Sequence, residues 1–205
     1  MANLTNEEKI TINTYNKLAK QWSCGHMTKG FWSQELELFK NLLPNGRILE
    51  VGAGGGRDAK SLIKLGYDYL GTDISDKLIA HARKKNPDGK FKQVSLYDLN
   101  FSELFDGFWC SAVLLHVPKK RIDEALQAIT RNMKLGAIGF ITIKQGNGEG
   151  IEQKIELDGD GRFFAYWQNE EFKKILSKNK YEILKEGYRP MSERSKWLTY
   201  HVRVN

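Results

Sequence analysis

From residue 47 onward the hydrophobic pattern switches repeatedly between short apolar runs and a period near 3.6, and the switches fall at glycines, prolines and capping residues. "RILEV" (47–51) ends at glycines and predicts a buried strand. Ala59, Leu62, Ile63 and Gly66 follow at helical spacing. "YDYLGTD" (67–73) predicts a second strand, and "DKLIAHARKK" (76–85) a helix capped by Ser75 or Asp76. "KFKQVSLYD" (90–98) predicts a third strand, and "FDGFWCSAVLLHV" (105–117) is apolar enough for a central strand buried on both faces. Pro118 opens a helix whose stripe is Ile122, Ala125, Leu126, Ile129 and Met133, with Gly136 as its end. "AIGFITIK" (137–144) is a fifth strand. Such alternation implies right-handed βαβ crossovers, hence an α/β, Rossmann-like, doubly wound and mostly parallel sheet.

Two regions depart from the alternation. In residues 1–46, Ile12, Tyr15, Leu18, Ala19 and Trp22 make one helical stripe, and "GFWSQELELFKNLL" (30–43) makes a second helix before Pro44. "QGNGEGIEQKIELDGDGRFFAYW" (145–167) is polar and glycine-rich and ends in an aromatic cluster, the composition of a binding loop or lid. A helix (169–179) follows, then "YEILKEGY" and "KWLTYHVRV" joined by "RPMSERS", which predict an antiparallel pair at the sheet edge and bring the count to seven strands. One domain, 1–205, is expected, with a helical cap (1–46), a ligand-binding core (47–146), an insertion or lid (147–168) and a C-terminal helix and strand pair (169–205).

Composition narrows the setting. With 40% hydrophobic and 28% charged residues, the chain suits a globular domain with a real core. No apolar run approaches the ~20 residues that cross a bilayer, and "MANLTNEEKITINTY" is unlike a signal peptide, so a cytoplasmic protein with no membrane partner is expected. The cysteines are Cys24 and Cys110; without a CxxC pair or a His/Cys cluster, neither a disulfide framework nor a metal site is expected. Residues 173–205 hold nine Lys/Arg against three Asp/Glu, most of the net charge of +7. That excess fits a phosphate-tracking face for RNA or a solvated face that favours solubility; the lack of aromatic and basic interleaving favours the second.

The chemistry concentrates in "ILEVGAGGGRDA" (48–59), a glycine turn at the carboxyl end of the first strand, where doubly wound folds bind ligands. Counting from Gly52 and Gly54, the third small position of a dinucleotide turn is Arg57, and no GK[ST] follows for a Walker loop. Glu50 stands inside the turn and would repel a pyrophosphate, so a cationic ligand fits better: an adenosine bearing an ammonium and a sulfonium. Asp73 ends the second strand 21 residues after Gly52, where a carboxylate can accept both ribose hydroxyls; it also suits a helix cap.

"LEVGAGGG", "GTDIS", "SLYDL" and "SAVLLHVPKK", in this order and spacing, resemble the successive motifs of class I S-adenosylmethionine-dependent methyltransferases over about residues 47–146. The resemblance implies that fold and S-adenosylmethionine as cofactor. It implies that Glu50 holds the methionine end, that Gly52, Gly54 and Gly56 let it lie on the main chain, and that Asp73 and Ile74 of "GTDIS" border the ribose. Asp98 matches the position that accepts from the adenine amino group, with Leu99 giving backbone beside it. Arg57 is a candidate for the ligand carboxylate or a solvent-facing residue of the first turn, and Tyr15 is either an aromatic closing the cofactor or core.

Methyl transfer from a sulfonium needs alignment and exclusion of water more than a base. His116 is the ionisable side chain of "SAVLLHV" and is a candidate base for a hydroxyl, amine or thiol, or a structural residue bonding backbone. No [DN]PP[YF] sequence, Pro-Cys nucleophile or acidic metal triad is present, which points to O, N or S of a small molecule, with Arg162, Phe163, Phe164, Tyr166, Trp167, Trp22 and Trp32 as candidate walls. An RNA acceptor, a non-catalytic adenosyl-binding module and an NAD-dependent oxidoreductase are the alternatives, the last disfavoured by Arg57. The sequence does not indicate an oligomeric state.

Overall fold

Ile48, Leu49, Glu50 and Val51 are all buried, so β1 (Arg47–Val51) lies at the middle of the sheet, with β2 (Asp68–Asp73) parallel on one edge and β4 (Phe105–Cys110) parallel on the other. The computed structural model describes residues 3–25, 31–153, 161–192 and 195–205. Outward from this centre come β3 (Lys90–Gln93) beside β2 and β5 (Met133–Gln145) beside β4, both parallel. Adjacent core residues point to opposite faces. Leu49, Phe108 and Ile141 pack with Leu126 and Ile129 of α6 (Ile122–Thr130) and Phe172 of α7 (Asn169–Lys178). Ile48, Trp109 and Phe140 pack with Phe39 of α3 (Ser33–Leu42), Leu62 of α4 (Ala59–Lys64) and Ile79 of α5 (Asp76–Lys85).

The far edge is antiparallel, as expected: β9 (Ser195–Val204) pairs with β5, and β8 (Tyr181–Ser192) pairs with β9. Among the described residues the sheet has nine strands rather than seven. The two extra ones lie in the region read as a loop, where β6 (Glu149–Glu152) and β7 (Arg162–Trp167) form a hairpin; residues 154–160 of that insertion lie outside the described residues. β7 also runs parallel to β5 at Lys144↔Tyr166 and Gln145↔Trp167. Because β9 occupies one edge of β5 through Lys144, β7 takes the edge that β4 leaves beyond Ile141, at the carboxyl end of the sheet.

Several boundaries move. The third strand stops at Gln93, since Ser95 turns the chain by accepting from the Tyr97 amide (3.3 Å), and a 3-10 turn covers Leu96–Asp98. The fourth stops at Cys110: Ala112 is left-handed (φ 61°), its amide donating to Thr142 Oγ1 (2.9 Å), and Leu114–His116 is a 3-10 turn. After Pro118 the helix proper begins at Ile122 and ends at Thr130, because Asn132 ties the chain to the Leu99 and Ala128 carbonyls. Met133 opens β5, and Gly136 (φ 80°) lies inside that strand instead of ending the helix. The N-terminal stripe divides at Leu18 into α1 (Asn6–Lys17), started by a Thr5–Glu8 capping box, and α2 (Ala19–Gly25). The second N-terminal helix begins at Ser33; Gly30 of its expected span lies outside the described residues.

Among the described residues, four of the C-terminal cations are ion-paired: Lys173 with Glu186 (3.2 Å), Lys178 with Asp123 (2.6 Å), Arg189 with Glu35 (2.8 Å) and Arg203 with Glu182 (2.8 Å). Among the described residues no helix is long and apolar enough to cross a membrane, and no cluster of His, Cys, Asp and Glu could hold a metal ion.

Candidate functional site

A cavity of about 410 Å³ opens at the carboxyl ends of β1, β2 and β4, and two kinds of wall enclose it. The first belongs to the sheet. Gly52 (φ 70°) and Gly54 (φ 55°) take left-handed turns that a side chain would strain. A Cβ on Gly52 would stand 2.2 Å from Val113 Cγ2, whereas one on Gly54 would meet nothing within 4 Å: the backbone of Gly54 faces open space. The Gly54 amide donates to Asp73 Oδ2 (2.9 Å) and the Ser75 amide to Oδ1 (2.8 Å). Each carboxylate oxygen therefore keeps a lone pair for a further donor. Burial raises the Asp73 pKa while these bonds oppose the rise. Ser75, not Asp76, caps α5, through the Leu78 amide (3.0 Å). Ile74 borders the same cavity.

Beneath the turn lie two buried acids. Glu50 accepts the Tyr69 hydroxyl, and burial, reinforced by the negative charge of Asp58, holds its carboxyl well above the usual carboxylate range. Asp58 accepts Trp109 Nε1 (3.0 Å) and a two-pronged contact from Arg57, Nε to Oδ1 and Nη2 to Oδ2 (both 2.6 Å). Arg57 Nη2 also reaches Ser111 Oγ (3.2 Å). Both Nη1 hydrogens are left without an acceptor among the described residues, and Arg57 borders the cavity while its side chain stays about a third exposed to solvent. A pocket of this composition suits a cation with an attached carboxylate.

Three sequence expectations change. Gly56 (φ 79°) does not line the cavity; its missing side chain makes room for Ala82 of α5 and for Asn86, which caps that helix, and the Asn86 side chain donates to its carbonyl (3.0 Å). Asp98 is exposed and Leu99 is buried in the core, both off the cavity, because the chain turns at Ser95. Val94, Ser95, Leu96 and Tyr97 stand at that wall in their place.

The second wall comes from α1, α2 and β7. Arg162, Phe164 and Tyr166 alternate along one face of β7, while Phe163, Ala165 and Trp167 enter the core on the other. Of the expected walls, Arg162, Phe164 and Trp22 line the cavity; Phe163, Tyr166, Trp167 and Trp32 do not. Lys144, Trp197 and Leu115, which the sequence did not single out, also border it. The Phe163 amide donates to Thr11 Oγ1 (2.8 Å), fastening α1 to β7. The buried guanidinium of Arg162 stands 4.6 Å from the Trp22 ring centre and 5.0 Å from that of Phe164, and its Nη1 donates to the Tyr15 hydroxyl (3.2 Å).

Tyr15 and His116 meet here. His116 Nδ1 lies 2.6 Å from the Phe163 carbonyl, which can only accept, so Nδ1 carries the proton and Nε2 accepts from the Tyr15 hydroxyl (2.8 Å). Burial pushes the His116 pKa down to about 3, and the charges of Arg162 and Lys144 add to the effect. The imidazole is neutral and both nitrogens are engaged, so the expected base presents no lone pair to an acceptor. The tyrosine hydroxyl stands between it and Arg162.

Comparison with known proteins bears on this site. The methyltransferase-domain family profile matches residues 48–136. An uncharacterized protein of Methanocaldococcus jannaschii is 31% identical over 180 residues, covering 85% of this chain and 80% of that protein. A ubiquinone biosynthesis O-methyltransferase of Methylococcus capsulatus is 32% identical over 102 residues, 47% of this chain and 42% of that one. The chain thus spans four-fifths of the archaeal relative and about two-fifths of the ubiquinone enzyme. The 1,6-didemethyltoxoflavin-N1-methyltransferase of Burkholderia thailandensis, solved with S-adenosylhomocysteine, superposes with a TM-score of 0.78 at 14% identity, over 100% of this chain and 93% of that one. At that identity the likeness is one of fold.

Proposed function

Because the chain belongs to the class I S-adenosylmethionine-dependent methyltransferases, we propose that it transfers a methyl group from S-adenosylmethionine to an oxygen, nitrogen or sulfur of a small molecule enclosed by the second wall. The observation that carries this reading is the polarity of one cavity: an open glycine backbone beside Asp73 and two buried acids, leading into an aromatic chamber. Asp73 would accept the ribose hydroxyls with the lone pairs its backbone bonds leave free. Glu50 would meet the ammonium, and Arg57 Nη1 the carboxylate of the methionine end. When bound, the cofactor supplies an electrophilic methyl on a positively charged sulfur.

The protein's own part is alignment and exclusion of water. Tyr15, Trp22 and Phe164 shield the chamber, and His116 acts as a positioning residue that holds the Tyr15 hydroxyl through Nε2. A small acceptor is favoured over RNA because the chamber is walled by α1, α2 and β7, and four C-terminal cations are already paired with carboxylates.

Thermal melting with S-adenosylmethionine, S-adenosylhomocysteine and NAD+ tests the cofactor, since a ligand at a hundred times its Kd adds about 2.7 kcal/mol. Stabilisation by the first two is expected, and stabilisation by NAD+ alone would refute the reading. Transfer of a labelled methyl from the cofactor into the low-molecular-weight fraction of a metabolite extract tests the acceptor. Label appearing only in the RNA fraction would overturn the small-molecule assignment.

A further inference from the structure

Arg162, a buried cation in the second wall of the cavity, calls for a second ligand of opposite sign. Glu50, Asp58 and Asp73 belong to the sheet side, where a cofactor of net charge +1 is matched and Arg57 is available to its carboxylate. Lys144 and Arg162 belong to the end of β5 and to β7. Arg162 is 7% exposed, and no carboxylate among the described residues lies within ion-pair distance of it. A buried cation without an anion is costly, and contacts with aromatic faces and one hydroxyl offset only part of that cost. Lys144 stands 4.0 Å from the centre of the Phe164 ring, which Arg162 also approaches at 5.0 Å. Both charges act on His116, which identifies one shared field rather than two isolated residues.

The chain places these groups together by strand geometry. Register partners Lys144 and Tyr166 bring β5 beside β7, and the period of two puts Arg162 and Phe164 on the face that carries Tyr166. His116 lies against Phe164 (ring centres 4.9 Å apart), and both border the cavity. Flat walls of this kind favour a flat guest.

Resting on the methyl-transfer reading, we infer that the acceptor is a planar aromatic molecule bearing an anionic group, carboxylate or phosphate, held by Arg162 and Lys144 against Phe164. The anion is a handle. Cations that hold it lower its basicity, so the methyl goes to another atom of the same molecule.

The test uses the full chain saturated with S-adenosylhomocysteine, titrated with 2-naphthoate, 2-naphthyl phosphate and uncharged 2-naphthamide while tryptophan fluorescence is read. At least one of the two anions binds about tenfold or more tighter than the amide, the size expected for a charge-assisted hydrogen bond. The tighter anion names the group. Lys144→Met and Arg162→Met each remove most of that preference and leave S-adenosylhomocysteine affinity within about twofold. Lys144→Met decides if Arg162→Met does not fold. Equal binding of anion and amide, or no binding by any probe, overturns the inference. So does a loss of S-adenosylhomocysteine affinity as large as the loss for the probe, which would assign the cations to the cofactor. If the parent protein binds the probes but not S-adenosylhomocysteine, the methyl-transfer reading fails instead, and this acceptor assignment fails with it.

Discussion

The two walls of the cavity are built from different materials. On the sheet side, residues 50–75 supply backbone amides, left-handed glycines and buried acids, all fixed by β1 and β2. On the cap side, Tyr15, Trp22, Lys144, Arg162 and Phe164 come from segments far apart in the chain and act through side chains. A wall made of backbone recognises a shape common to many proteins, whereas a wall made of side chains can change with each substrate. The first wall should therefore fail in binding the cofactor, and the second in stability and choice of acceptor.

The sharpest way to break that contrast is Asp73→Ala. It removes the acceptor of the Gly54 and Ser75 amides and the proposed acceptor of the ribose hydroxyls, and should weaken S-adenosylhomocysteine about a hundredfold or more in calorimetry. Affinity within about tenfold of the parent would mean that the sheet wall is not where the adenosyl group lies. Next come two substitutions in one turn. Gly52→Ala combines a positive φ with a clash at Val113 and should cost about 2–4 kcal/mol, lowering Tm by roughly 5–15 °C. Gly54→Ala meets no protein atom, so it should cost only about 1–2 kcal/mol of stability yet weaken the cofactor, because its methyl stands in the cavity. Equal melting losses for the two would contradict this.

On the cap side, Tyr15→Phe keeps the ring and removes the donor to His116 Nε2. A loss of about 1–2 kcal/mol is expected in denaturant melts, with S-adenosylhomocysteine affinity less affected than by any change at Asp73. The smallest effect concerns Glu50. Its raised pKa means that the cofactor-free fold keeps a proton above the ordinary carboxylate range, and stability falls as pH rises through the raised value and the buried charge forms. Glu50→Gln has no such proton to lose, so its Tm should overtake that of the parent as pH increases. A constant gap between the two across pH would show that Glu50 does not titrate in the folded state.

Legibility followed the same division. The glycine turn, Asp73 and the parallel core could be read because each depends on neighbours in sequence and on a period that survives folding. Asp98, matched through "SLYDL", stands off the cavity because of a purely local event: the Ser95 hydroxyl turns the chain before the expected end of the third strand. Arg162, Phe164 and Tyr166 do show a period of two within "RFFAYW", but the run is apolar on both faces and follows a polar, glycine-rich stretch. Its alternation became visible only when one face met α1 and the other entered the core. The pairing of Tyr15 with His116, 101 residues apart, leaves no trace in either local sequence.

The bond from the Phe163 amide to Thr11 Oγ1 gives turnover a direction in time. It fastens the helix carrying Tyr15 to the strand carrying Arg162, so the proposed cover over the cofactor and the proposed acceptor wall are joined to one another. If this clasp forms only over bound cofactor, the expected order is donor first, acceptor second, methylated product out, and S-adenosylhomocysteine last. In steady-state kinetics S-adenosylhomocysteine should then compete with S-adenosylmethionine alone, and Thr11→Val, which unhooks the clasp, should relax that order toward random.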